Sequence, residues 1–260
     1  METEEDGRVF LYMAMSRSED LRQWSERLLL TPRGQNLNFS SPGNLIYVDN
    51  RWRMCLQSYP RPNGEKYGNG DCRIWMMESE DLVNWTAPEL LRVKGEHVVV
   101  EDMGRMIDPY FIANANNPGE WLCFYKQNGV SLSKTSDFQQ WIYCGSEQAG
   151  ENVCIIRHQE EYVMFHSPEN GIGMLRSHDL VHWHQEGDLL TLGQQQWEWA
   201  QGRLTAGFVL DLRGTKGIEA FVMFFHGSGP EDESVLFDTH ASIGIAWSRD
   251  LKMWDWPGKV

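Results

Sequence analysis

Three carboxylates in this 260-residue chain stand where acid–base chemistry would need them, each at the head of a short strand-like run. Asp108 lies in Arg105-Met106-Ile107-Asp108-Pro109, Glu151 in Gly150-Glu151-Asn152, and Glu198 in Trp197-Glu198-Trp199-Ala200-Gln201-Gly202-Arg203. Two carboxylates held about one bond can divide the work: one gives a proton while the other takes one or attacks. The donor needs a raised pKa, which burial or a neighbouring like charge provides, and Asp108 and Glu151 in successive repeats would supply that pressure to each other. The plainer alternatives are that Asp108 only starts a strand ahead of proline and that Glu151 is an exposed turn residue.

Other polar and aromatic residues fall at comparable places. His166 follows the run Tyr162–Phe165 and His226 follows Ala220–Phe225; each either bonds ligand hydroxyls or is a buried, satisfied histidine. Arg105 and Arg203 flank strand starts and would clamp a carboxylate or a hydroxyl pair, with a structural ion pair as the alternative. Asn44, in Ser41-Pro42-Gly43-Asn44, opens an earlier run in the same way. Tyr110, Trp197 and Trp199 are either stacking platforms for a flat ligand face or packing residues. His158, His166, His178, His182 and His184 crowd one segment, but three of them fall on a turn, and no metal or other cofactor is expected. There is no glycine-rich phosphate loop and no Gly-x-Ser-x-Gly elbow.

The elements that must position these residues announce themselves through a repeat. Ser18-Glu19-Asp20-Leu21 with Trp24 returns as Ser79-Glu80-Asp81-Leu82 with Trp85 and as Ser136-Asp137-Phe138 with Trp141. It returns again as Ser177-His178-Asp179-Leu180 with Trp183, and as Ser248-Arg249-Asp250-Leu251 with Trp254. Serine and aspartate side chains bond to nearby backbone amides and start a tight turn, leaving the apolar residue and the tryptophan to plug a gap between sheets. Three short strand-like runs precede each of the last four copies, such as Leu45–Val48, Arg53–Gln57 and Arg73–Met77. Strands punctuated this regularly predict an all-β fold, a five-bladed β-propeller, and not a sandwich. The expected partition of a single domain over 1–260 is a partial blade at 1–35 and blades at about 36–92, 93–147, 148–190 and 191–260. The N-terminal blade is incomplete: it is either thin or the remnant of a longer chain.

In a propeller the first strand of each blade lines the central channel, so the residues that open the blades face a common pocket. An Asp-Pro starting such a strand, a Glu one blade later, and the Ser-x-Asp-Leu-x-x-Trp punctuation resemble glycoside hydrolase families 43 and 32 and their relatives, over nearly the whole chain. That resemblance implies hydrolysis of a small saccharide or a polysaccharide chain end (arabinoside, xyloside or fructoside) by three carboxylates. It assigns Asp108 the role of the aspartate that orients and tunes the acid, and Glu151 that of the general acid. The first aspartate, base or nucleophile, should open the preceding blade, where the chain reads Ser41-Pro42. Glu198 then supplies the missing carboxylate, or a longer chain carries it, or the protein binds carbohydrate without cleaving it.

Composition bounds the partners. With 37 acidic against 23 basic residues and a net charge of −14, no basic stripe is available for phosphates, and no nucleic acid is expected. No apolar run approaches the ~20 residues needed to span a bilayer, so no membrane partner is expected either. Aromatics make up 12% of the chain, including twelve tryptophans, a load that suits both sheet packing and a carbohydrate ligand. The five cysteines contain no CxxC pair and read as buried free thiols. Met-Glu-Thr-Glu-Glu-Asp is no signal peptide, so the chain as it stands reads as cytoplasmic, or as secreted or periplasmic if a longer chain precedes it. An incomplete blade leaves an unpaired sheet edge at which a second copy would dock, giving a homo-oligomer.

Overall fold

Short apolar runs cut by Gly, Asn and Asp turns form strands, and among the described residues there is no α-helix, only three 3₁₀ turns. The computed structural model describes residues 2–3, 8–230 and 241–259. Two small antiparallel ladders come first, β1 (Glu2–Thr3) with β2 (Val9–Phe10) and β3 (Ala14–Met15) with β4 (Leu28–Leu29). Four larger sheets follow. The first holds β5 (Phe39–Ser40), β6 (Leu45–Val48), β7 (Arg51–Ser58), β8 (Ile74–Ser79) and β9 (Glu89–Leu90), with β5 and β6 both pairing β7. The second is the meander β10 (Ile107–Ala113), β11 (Trp121–Lys126), β12 (Val130–Thr135) and β13 (Ile142–Glu147). The third runs β14 (Glu151–His158), β15 (Glu161–Ser167), β16 (Gly173–Ser177), β17 (His184–Gln185), and the fourth β18 (Arg203–Asp211), β19 (Phe221–Ser228), β20 (Ser242–Ser248), β21 (Trp254–Asp255).

Blade-like sheets therefore number four among the described residues, where five were expected. The first repeat motif lies between the two short strands β3 and β4, which pair only through Ala14–Leu29 and Met15–Leu28. Each of the four sheets also ends in a two- to six-residue strand after the motif, which the three-run reading lacks. The chain divides into two compact units: Met1–Ala113 with Gly119–Gln127 and Leu132–Gly145, and Ser146–Val260 with Asn114–Pro118 and Asn128–Ser131.

The motif works as its side chains dictate. In the second copy Ser79 Oγ accepts the Leu82 N–H at 2.9 Å, and Asp81 Oδ1 accepts the N–H groups of Val83 and Asn84 at 2.8 and 2.7 Å. Ser177 with Asp179 and Ser248 with Asp250 repeat the pattern. In the third copy Thr135, and not Ser136, fills the serine place, its Oγ1 accepting the Phe138 N–H at 2.9 Å. The turn forces the apolar residue into left-handed backbone: Leu21, Leu82, Phe138, Leu180 and Leu251 have φ between 59 and 66°. Burial of the side chain repays that strain at Phe138, Leu180 and Leu251. Trp141 and Trp254 are buried, but Trp24 is 53% exposed and plugs nothing.

The first unit has one core around Cys55, Ile74, Phe111, Cys123, Tyr125 and Trp141, and a second around Met13, Phe39, Leu56 and Met77. All five cysteines are free; Cys55, Cys72, Cys123 and Cys154 are buried and Cys144 is exposed. Burial pushes the Cys55 thiol up to about 12 and that of Cys72 to about 11.

The turns make stability depend on acid. Backbone N–H donors hold Asp20, Asp81, Asp137 and Asp250 below the usual aspartate value of 3.8, and His182 followed by backbone donors does so at Asp179. A lowered folded-state pKa contributes stability that is complete above the unfolded value and lost as pH falls through the folded one. The melting temperature is expected to drop below about pH 4. Asp81→Asn, which keeps an acceptor but cannot titrate, is expected to flatten part of that drop in a thermal scan against pH.

Candidate functional site

The first strands of the sheets share a break in register just after they begin. Pairing slips between Ile107 and Tyr110 in β10, between Glu151 and Cys154 in β14, and between Thr205 and Phe208 in β18. In the first sheet the same strand is split: Ser40 pairs with Gln57, and regular pairing resumes at Leu45 with Met54. One residue at each break is left-handed: Ser41 (φ 42°), Asp108 (φ 53°), Asn152 (φ 56°) and Ala206 (φ 56°). A bulge of this kind re-aims side chains at the end of a strand.

Side chains from the preceding sheet hold two of these bulges by the backbone. Gln57 Oε1 accepts the Asp108 N–H at 2.6 Å, and Ser167 Oγ accepts the Ala206 N–H at 2.8 Å. Backbone also approaches backbone closely. A Cβ at Gly43 would run into the Pro109 carbonyl, and one at Gly150 into the Ser167–Pro168 peptide. The approach to Asp108 is fixed further by Arg73, 5% exposed, which donates to the carbonyls of Gly70, Cys72, Val100 and Gly104. Gln127 Nε2 adds bonds to the Met103 and Arg105 carbonyls at 2.9 and 3.1 Å. In the other unit Asn170 Oδ1 accepts the Leu204 N–H at 2.9 Å.

Register makes Ser40, Ile107, Glu151 and Thr205 equivalent, and likewise Ser41, Asp108, Asn152 and Ala206. Of these eight positions only two carry carboxylates, Asp108 and Glu151, both half-buried. Glu151 pairs with Ser167, the residue that holds the next bulge. Glu198 is different: it is exposed, on the 3₁₀ turn Glu198–Ala200, and the strand proper starts only at Arg203.

Several residues read as ligand contacts have structural partners instead. Asn44 ties its amide to β10, accepting the Phe111 N–H and donating to the Phe111 carbonyl, both at 2.8 Å. His166 is 6% exposed and its Nδ1 accepts the Gly150 N–H at 2.8 Å, so it shapes the turn leading to Glu151. Tyr110 is 7% exposed, leaving no ring face for a ligand. Trp199 stacks on Trp197 at 5.3 Å and on Phe225 at 6.0 Å, in space left by Gly227 and Gly244. Arg105 donates to the Gly68 carbonyl at 3.2 Å and lies 5.8 Å from the Tyr59 ring. Arg203 and His226 stay half-buried at the start of β18 and the end of β19, with His226 Nδ1 3.4 Å from Thr205 Oγ1. Gln57, Ser167 and Arg73, the residues that position the bulges, are not among the candidates the sequence offered; for Gln57 and Ser167 an amide or hydroxyl closing the second strand is the signal. Among the described residues no three His, Cys, Asp or Glu side chains are grouped to hold a metal ion, and no helix is long and apolar enough to cross a membrane.

Gln57 is 2% exposed, so Gln57→Leu would leave the Asp108 N–H without its acceptor. The expected loss is about 1–3 kcal/mol of unfolding free energy, measured by urea denaturation, against little change for Gln23→Leu on the surface.

No protein-family model matches the sequence, and no curated protein matches it. Solved structures do match in fold. A thermostable family-43 glycoside hydrolase superposes with a TM-score of 0.58 at 13% identity, covering 95% of this chain and 85% of that one. A family 117 glycoside hydrolase from the marine bacterium Zobellia galactanivorans gives 0.56 at 12% identity, over 85% of this chain and 69% of that one. A fructofuranosidase from Schwanniomyces occidentalis, solved with fructosylnystose, gives 0.58 at 12% identity, over 84% of this chain and 45% of that one. The four sheets, their bulged first strands and these superpositions together give the chain the all-β propeller fold of glycoside hydrolases.

Proposed function

We propose that the protein is a glycosidase that hydrolyses a small saccharide or the end of a polysaccharide chain, of arabinoside, xyloside or fructoside type. The observation that carries this reading is the placing of Asp108 and Glu151, the two carboxylates among the eight register-equivalent positions at the bulged strand starts. Glu151 is the general acid, giving its proton to the leaving oxygen. A water attacks the anomeric carbon as the glycosidic C–O bond breaks, and its proton passes to solvent, from which Glu151 recovers its own. The resemblance assigns Asp108 the part of the aspartate that orients and tunes an acid. Gln57 holds Asp108 by its backbone N–H.

A second reading, carbohydrate binding without cleavage, draws on a different observation. Ser41 and Ala206 occupy the remaining bulges beside Asn152, and Glu198, the third carboxylate, is exposed.

The test is a panel of aryl glycosides and oligosaccharides with the wild type, Glu151→Gln and Asp108→Asn. Hydrolysis by the wild type and a loss of about 10²–10⁴-fold in kcat in Glu151→Gln are expected. Full rate in both variants would remove these residues from the chemistry. Calorimetric sugar binding with no turnover by the wild type would favour the second reading.

A further inference from the structure

In each large sheet one residue of the second strand stands opposite the bulged strand start, and register makes these residues equivalent. Gln57 pairs with Ser40, Lys126 with Ile107, Ser167 with Glu151 and His226 with Thr205. Side chains alternate along a strand, so residues at one register position leave their sheets by the same face. The bonds of Gln57 and Ser167 show which face that is, since each takes the amide of a bulge residue, Asp108 and Ala206 respectively. Lys126 holds the same position with a side chain that has no acceptor to offer an amide. It is half-buried, and among the described residues its ammonium has no hydrogen-bond or ion-pair partner. Its neighbour Gln127 is spent on the Met103 and Arg105 carbonyls. Opposed Cα atoms in an antiparallel pair lie about 4.5–5.5 Å apart, so Lys126 stands directly across from Ile107 and one residue from Asp108. The strand end that carries Asp108 therefore also carries a cation without structural work.

We infer that Lys126 binds an anionic group on the saccharide, so that the preferred substrate is an acidic sugar bearing a carboxylate or a sulfate ester; this rests on the glycosidase reading above. A neutral saccharide seated beside Asp108 would desolvate the ammonium and return only hydroxyl groups. A carboxylate or sulfate returns charge-assisted hydrogen bonds, which are shorter and stronger. Lysine is a point charge with three rotatable donors on a flexible stem, so either oxyanion suits it. In a chain of net charge −14, a local cation is also what lets an acidic ligand approach.

The experiment uses two matched pairs of ligands on the whole chain: a glucuronoxylo-oligosaccharide with its carboxyl methyl ester, and a sulfated arabinan oligosaccharide with its desulfated form. Hydrolysis is followed with the wild type, and binding by titration calorimetry with Glu151→Gln to suspend turnover. The acidic member of one pair is expected to bind at least about tenfold more tightly than its neutral twin, and to weaken with added salt. A difference in the first pair identifies a uronic acid, and in the second a sulfate ester. Adding Lys126→Gln is expected to lower the acidic member's affinity about tenfold and leave the neutral twin within about twofold, while Lys126→Arg keeps the preference. The arginine variant and the salt dependence of the unsubstituted lysine carry the test should Lys126→Gln not fold. The inference fails if neutral twins bind as tightly as acidic ones, if Lys126→Gln weakens both alike, or if no ligand of either pair binds. A wild type that prefers the acidic member but hydrolyses nothing overturns the glycosidase reading and leaves the role of Lys126 standing.

Discussion

Everything that places Asp108 depends on one constraint: an L-residue is held in left-handed backbone at the start of a sheet's first strand, and its amide must still find an acceptor. The bulge takes that N–H out of the ladder, and Gln57 from the preceding sheet replaces the lost partner. Ser167 does the same for Ala206. Both bonds end on backbone. Strain of this kind costs on the order of 1–3 kcal/mol per residue and persists only where its surroundings over-determine it. Here the surroundings are the Arg73 and Gln127 bonds to the approaching loop, and close backbone contact at Gly43.

The motif turns apply the same economy at the other end of each blade. Side-chain oxygens of Ser, Thr and Asp take amides that the chain reversal leaves without partners, and the apolar residue forced to positive φ is driven into the core. Fold and display are thereby separated. Polar side chains that look chemical, such as Asn44 and His166, work as substitutes for backbone, while the carboxylates at the strand starts, Asp108 and Glu151, stay half-buried.

Much of this was legible in the sequence because the motif is local. Ser79, Asp81 and Leu82 make their bonds within five residues, so the repeat carries its own structure, and the four later copies mark four sheets. Thr135 was missed because a hydroxyl one place earlier than Ser136 makes the bond. The two-residue strands β9, β17 and β21 are too short to show a period of two. The ring count erred for a related reason: the first motif is intact as a turn, yet only two residues on each side of it pair. Misread site residues share a different cause. Asn44 meets Phe111 from 67 positions away, Tyr110 is buried, and the half-buried Trp199 stacks on Phe225. A residue's type and its place at a strand start do not reveal such partners.

The thiols of this chain have a practical side. Four lie in the interior, and with Cys55 pushed up to about 12 by burial hardly any thiolate exists there to meet a reagent at neutral pH. Cys144 alone is exposed, on the edge strand β13. Partial burial raises its pKa too, so it should react slowly at neutrality and faster in mild alkali. The native protein thus carries one chemical address on its second sheet, at which a fluorophore or spin label can be fixed without altering a single codon.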